Sequence, residues 1–222
     1  MTKRRHLPCL SIVLAAALSL ALAACSRQPA STADVPRLVP SSYKISVAPF
    51  TQPLHPGQLI VGQIPEPQGR IPHDALVALD RELREVLITG TKRQYTFIPR
   101  RNLPPDLTNA HSTGQPGALP RWLAYGRQHG AQYLLIPQVL DWHEREGSSA
   151  GVTQSAHVRV EFFLVNVAEG ELGNRSIFEE KQVGLTENLL TVGEFFKRKG
   201  AWVSAQELAV DGMQKAVKDL GL

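Results

Sequence analysis

One segment commits this chain to a β-sheet. From His157 to Ala168 (HVRVEFFLVNVA), Val158, Val160, Phe162 and Leu164 alternate with Arg159, Glu161, Phe163 and Val165. This period of two sends successive side chains to opposite faces of a strand. Glu169 and Gly170 then turn the chain into a second extended run, Glu171 to Val183, so the two segments read as an antiparallel hairpin. Two strands alone are marginal in water, so the rest of the chain must supply further strands and helices to cover their faces.

It does so in alternation. Tyr43 to Phe50 (YKISVAPF) puts Ile45 and Val47 on one face of a strand that ends at Pro49. Asp74 to Thr89 repeats apolar residues at Leu76, Leu79, Leu83, Val86 and Leu87, an amphipathic helix stopped by Gly90. Tyr95 to Pro99 reads as a short strand and Pro120 to Gly130 as a short helix containing Trp122 and Tyr125. Ala131 to Trp142 (AQYLLIPQVLDW) is apolar on both faces, as suits a strand covered on both sides. Trp202 to Leu220 carries Ala205, Ala209, Met213, Ala216, Val217 and Leu220 at helical spacing. Two stretches read as irregular: Thr51 to Pro72, a proline- and glycine-rich loop long enough to be functional, and Arg100 to Ala118. The order is strand, helix, strand, helix, strand, strand, strand, helix. That predicts an α/β domain with a single mixed β-sheet of about five strands and two or three helices packed on it, parallel in its first half and antiparallel in its second.

The N-terminus carries an address. Lys3, Arg4, Arg5 and His6 precede an apolar run from Cys9 to Leu22, and the run ends at Leu22-Ala23-Ala24-Cys25. This is the layout of a cleaved signal peptide, and the run is shorter than the roughly 20 residues that span a bilayer. Cys25 directly after Leu-Ala-Ala resembles the bacterial lipobox, in which the Cys thiol is alkylated with diacylglycerol. The resemblance implies removal of residues 1–24, acylation of Cys25 and an anchored product; three acyl chains hold far more firmly than one. Ser26 in place of Asp after that Cys implies, by the same resemblance, the periplasmic side of the outer membrane. Residues 25–42 (CSRQPASTADVPRLVPSS) then form a solvated linker, and 43–222 a single α/β domain.

Composition narrows the function. Without Lys3, Arg4 and Arg5 the 24 basic residues become 21, against 20 acidic, so the charge of +4 falls to about +1 and gives no case for nucleic acid. The two cysteines are Cys9, which is removed, and Cys25, which is lipidated, leaving none for a disulfide, a metal or a nucleophile. No phosphate-cradling glycine motif occurs, and no catalytic residue and no cofactor is expected. Asp141, His143, Glu144 and Glu146 crowd one strand end, with Asp141 and His143 on one face and Glu144 turned away. His157 and Glu161 also share a face, but they lie about 13 Å apart at roughly 3.3 Å per residue, too far for one ion. No metal site is expected. The aromatic and basic cluster Phe195, Phe196, Lys197, Arg198, Lys199 and Trp202 is the candidate partner-binding surface.

The order of pieces resembles the superfamily of envelope lipoproteins that includes the curli-secretion-channel (CsgG-like) proteins and the penicillin-binding-protein activators (LpoB-like). The resemblance rests on KISVAPF as the first strand, DALVALDRELREVLITG followed by YTFIPR, then HGAQYLLIPQVLDW, then VRVEFFLVNVAEGELG, and it covers Tyr43 to Leu220. It implies a non-enzymatic domain on a lipid tether, with the membrane, envelope proteins and further copies of itself as partners and an accessory role in an envelope complex. The chain departs from the pore-forming members in that neither 51–72 nor 184–200 supplies a pair of segments with about 9 to 11 alternating residues, and from the activators in its short tether. A small-ligand or glycan-binding module, using the 51–72 loop and the surroundings of Trp122 and Trp202, is the alternative.

Overall fold

The computed structural model describes residues 39–108, 117–148, 151–182 and 203–222. In chain order the elements are β1 (Ile45–Val47), α1 (His73–Gly90), β2 (Tyr95–Phe97), the single turn α2 (Pro105–Thr108), α3 (Ala118–Gln128), β3 (Tyr133–His143), β4 (Glu146–Ser148), β5 (Gly151–Gln154), β6 (His157–Asn166), β7 (Glu171–Lys181) and α4 (Ala205–Asp219). Five strands form one sheet in the order β2-β1-β3-β6-β7, and β4 and β5 form a separate two-stranded hairpin. β1 runs parallel to both β2 and β3, whereas β3, β6 and β7 pair antiparallel. This is the mixed five-stranded sheet expected from the sequence. The structure adds the β4–β5 hairpin, and α2 inside the stretch read as irregular. No helix of the described residues is long and apolar enough to cross a membrane.

The first strand is shorter than its apolar pattern because of proline. Ladder bonds continue past Val47 on either side of a gap: Ala48 N–H donates to Leu135 O, Thr51 N–H to Pro137 O and Val139 N–H to Thr51 O. Pro49 and Pro137 have no N–H to offer across that gap. A proline in a central strand is otherwise unfavourable; here it faces an interruption in its neighbour. The amide of Phe50, released from the ladder, donates instead to Asp80 Oδ1 on α1 at 2.8 Å. Arg100 closes the other side of that carboxylate at 2.7 Å, tying the helix to the sheet. Burial pushes the Asp80 carboxyl above its usual value, outweighing the Phe50 amide and Arg100.

Helices cover both faces. On one, Leu79, Leu83 and Leu87 of α1 and Leu208, Ala209, Met213 and Ala216 of α4 pack on Leu135, Val139, Val158, Val160, Phe162 and Leu164. On the other, Trp122, Leu123 and Tyr125 of α3 pack on Leu134, Ile136, Phe163 and Val165. α4 starts at a capping box in which Ser204 and Glu207 satisfy each other's amides. Its Gly212 lies so near Phe178 of β7 that a Cβ there would fall 2.8 Å from the ring. Trp122 is 1% exposed and Tyr125 2%. Both belong to the core, so Trp122 offers no surface to a ligand. Burial, and secondarily the charge of Asp80, pushes the Tyr125 hydroxyl up to about 12.

Candidate functional site

α3 covers only part of its face, and beyond Ile136 and Phe163 that face turns polar. A β-bulge in β3 adds Asp141 and His143 to that polar face. Up to Val139 the even-numbered residues Leu134, Ile136 and Gln138 share the face, but the register shifts between Val139 and Asp141. The extra residue reverses the alternation. Asp141 now stands across from Arg159 and His143 across from His157, while Trp142 joins the apolar core on the opposite face. β6 adds Arg159 and Glu161, and β7 adds Arg175 and Glu179, the partners of Phe163 and Arg159 in the ladder.

Two linked groups of charges result. The side chain of Glu161 is completely buried; its Oε2 accepts from Arg175 Nε at 3.0 Å and Nη2 at 2.6 Å, and its Oε1 from Arg159 Nη2 at 3.2 Å. Asp141, 4% exposed at its side chain, has the Gly69 amide 2.6 Å and His143 Nε2 3.3 Å from Oδ1, and His157 Nδ1 2.9 Å from Oδ2. The far side of the His157 ring faces Glu179 Oε1 at 3.5 Å, and Glu179 Oε2 lies 3.5 Å from Arg159. The rings of His143 and His157 stack at 5.9 Å and 11°.

The loop from Thr51 to Pro72 roofs these groups, and glutamines hold it in place. Gln68 Nε2 donates to Pro53 O and Leu140 O, Gln52 bridges Gly69 O and Ile71 N, and Gln138 Nε2 donates to Gln58 O. Two glycines let its backbone come down onto the charges. At Gly69 a Cβ would lie 2.2 Å from Trp142 O and 2.7 Å from His143 Nε2; Gly62, at φ +100°, passes over the Arg175 guanidinium. Gln138 Oε1 and Arg159 Nε are buried with no hydrogen-bond partner among the described residues. A cleft of about 640 Å³ opens beside it, lined by Pro56, Leu59, Ile64, Pro65, Glu66 and Arg159.

Asp141 and His143 share a face and touch, as the strand pattern implies. Glu144 turns away and accepts from the indole of Trp142 at 3.0 Å. His157, which sequence spacing put on the face of Glu161 but too far from it to share an ion, meets Asp141 and His143 across the β3–β6 ladder. The parts played by Gly69, Arg159, Arg175 and Glu179 have no signal in local spacing, because strand register and a distant loop create them. His55, His73 and His129 lie apart from this cluster: on the loop, at the start of α1 and after α3. Cys25 and the cluster Phe195, Phe196, Lys197, Arg198, Lys199 and Trp202 lie outside the described residues.

No family model matches the chain and no curated protein does. Among solved structures, the chain is similar to the PelC dodecamer from Paraburkholderia phytofirmans, at 15% identity over 82% of this chain and 90% of that one, with a TM-score of 0.45. It is also similar to the LpoB C-terminal domain from Salmonella enterica (15% identity, 65% and 86% covered, TM-score 0.35). Lipoprotein GNA1162 from Neisseria meningitidis is a third (11% identity, 72% and 99% covered, TM-score 0.34).

Proposed function

We propose that this chain is a non-enzymatic, periplasm-facing outer-membrane lipoprotein that serves as an assembly or accessory subunit of an envelope complex. One observation carries the reading: a charged start, a short apolar run and Leu22-Ala23-Ala24-Cys25. Acylation at Cys25 confines the domain to a membrane surface, and the linker of residues 25–42 holds it close to that surface. The buried charges fit this reading, since Glu161 is engaged by two guanidiniums and Asp141 by two imidazoles and an amide, an arrangement that stiffens a loop-covered surface. The Phe195–Trp202 cluster and further copies of the chain are the partner contacts this reading calls on.

The test is crosslinking in cells followed by purification of the tagged, lipidated protein, with Cys25→Ala as control. Recovery of one envelope complex that depends on Cys25, together with sedimentation in the outer-membrane fraction, is the expected result. A Cys25→Ala protein that still sediments with outer membrane refutes the anchoring argument. A second reading, a small-ligand or glycan-binding module, is favoured by the cleft beneath the 51–72 loop; recovery of monomer alone would move the assignment there.

A further inference from the structure

We propose that Asp141, His143 and His157 form a binding site for a divalent transition-metal ion of the zinc class. The donors are His143 Nε2, His157 Nδ1 and a carboxylate oxygen of Asp141, and all lie within 4.8 Å of one another. Bonds of about 2.0–2.2 Å to a shared tetrahedral ion require donors about 3.3 Å apart. The observed separations of 3.3 Å from His143 to Asp141 and 2.9 Å from His157 to Asp141 already lie near that value, so a small rotation of one imidazole completes the set. Two imidazole nitrogens and one carboxylate select zinc or its d-block neighbours over magnesium or calcium, which take oxygen ligands.

Three further features belong to such a site. Glu179 stands behind His157, 3.5 Å from Nε2, where a carboxylate takes the ring proton and turns Nδ1 toward the ion. The Gly69 amide, 2.6 Å from Asp141 Oδ1, fixes the carboxylate. The missing side chain at Gly69 leaves open the space beside His143 Nε2 that a Cβ would fill. His143 and His157 are 34% and 22% exposed at their side chains, so an ion can enter from solvent and keep a water ligand.

The experiment uses the lipidated chain purified in detergent, stripped with a chelator and titrated with zinc chloride by calorimetry, then with cobalt(II) by absorption. Binding of one zinc per chain is expected, weakened more than about tenfold by His143→Ala and by His157→Ala and roughly tenfold by Glu179→Gln. Cobalt should give visible bands without thiolate charge transfer. Circular dichroism checks each variant, and should one fail to fold, the cobalt spectrum of the wild-type chain decides. Absence of stoichiometric zinc binding, a thiolate band, or unchanged affinity in both folded histidine variants would overturn the site and leave Asp141 as an anchor of the loop only.

Discussion

Arg175→Met tests whether the 51–72 loop seals the polar end of the sheet. Arg175 makes two hydrogen bonds to Glu161, whose side chain has no exposure. Removing one partner of a buried ion pair typically costs about 3–5 kcal/mol, because the remaining charge is stranded. Arg159 still reaches the other carboxylate oxygen at 3.2 Å, so the lower end of that range, about 3 kcal/mol, is expected. With a urea m-value of about 2 kcal/mol/M, the unfolding midpoint should fall by about 1.5 M. Adding Glu161→Gln to Arg175→Met should recover more than half of the loss, since an amide needs no counter-charge. The assay is equilibrium urea unfolding followed by circular dichroism on all four members of the cycle. A loss below about 1 kcal/mol in Arg175→Met alone would show that water reaches Glu161, and the account of the loop as a cover over buried charges would fail.

Two helix glycines should respond to alanine with opposite signs. Gly90→Ala, at the end of α1 with open space around it, should stabilise by about 0.5–1 kcal/mol. Gly212→Ala meets Phe178 and should destabilise by on the order of 1 kcal/mol, overpacking outweighing helix propensity; thermal melts that shift the same way would contradict the packing of α4 on β7. Asp80 supplies a pH test. Its folded carboxyl is raised above 3.8, so its favourable share is complete below the unfolded value and is lost as pH rises through the folded one. The stability of the wild-type chain relative to Asp80→Asn should therefore fall as pH rises from below the unfolded value through the folded one, and a rise in paired urea titrations would reverse the assignment.

Local pattern was enough for the long elements and their order. The helical stripe containing Leu79, Leu83 and Leu87, the two-faced apolar run of β3, the alternation in β6 and the helical spacing from Ala205 to Leu220 each belong to the segment that bears them. All four segments bury most of the expected residues, with Leu76, Val86 and Val217 half-buried at the edge of the core. Short connections and the β6–β7 turn then restrict how such pieces assemble. The candidate site was only half legible. Asp141 and His143 are two residues apart and share a face in any strand, but His157 reaches them through the β3–β6 register, and Gly69 through a loop 72 residues before Asp141 in the chain.

By itself, then, the sequence determined the α/β class, the mixed sheet and the side of each long element that turns inward, because hydrophobic periodicity acts within one segment. Tertiary structure alone decided that Glu161 and Asp141 would be buried charges rather than solvated ones. The bulge in β3, which no residue type announces, reversed the alternation. The glutamine-held loop then covered the Asp141 and Glu161 carboxylates. Burial of a charge depends on what covers it and what pairs with it, and here both come from other parts of the chain.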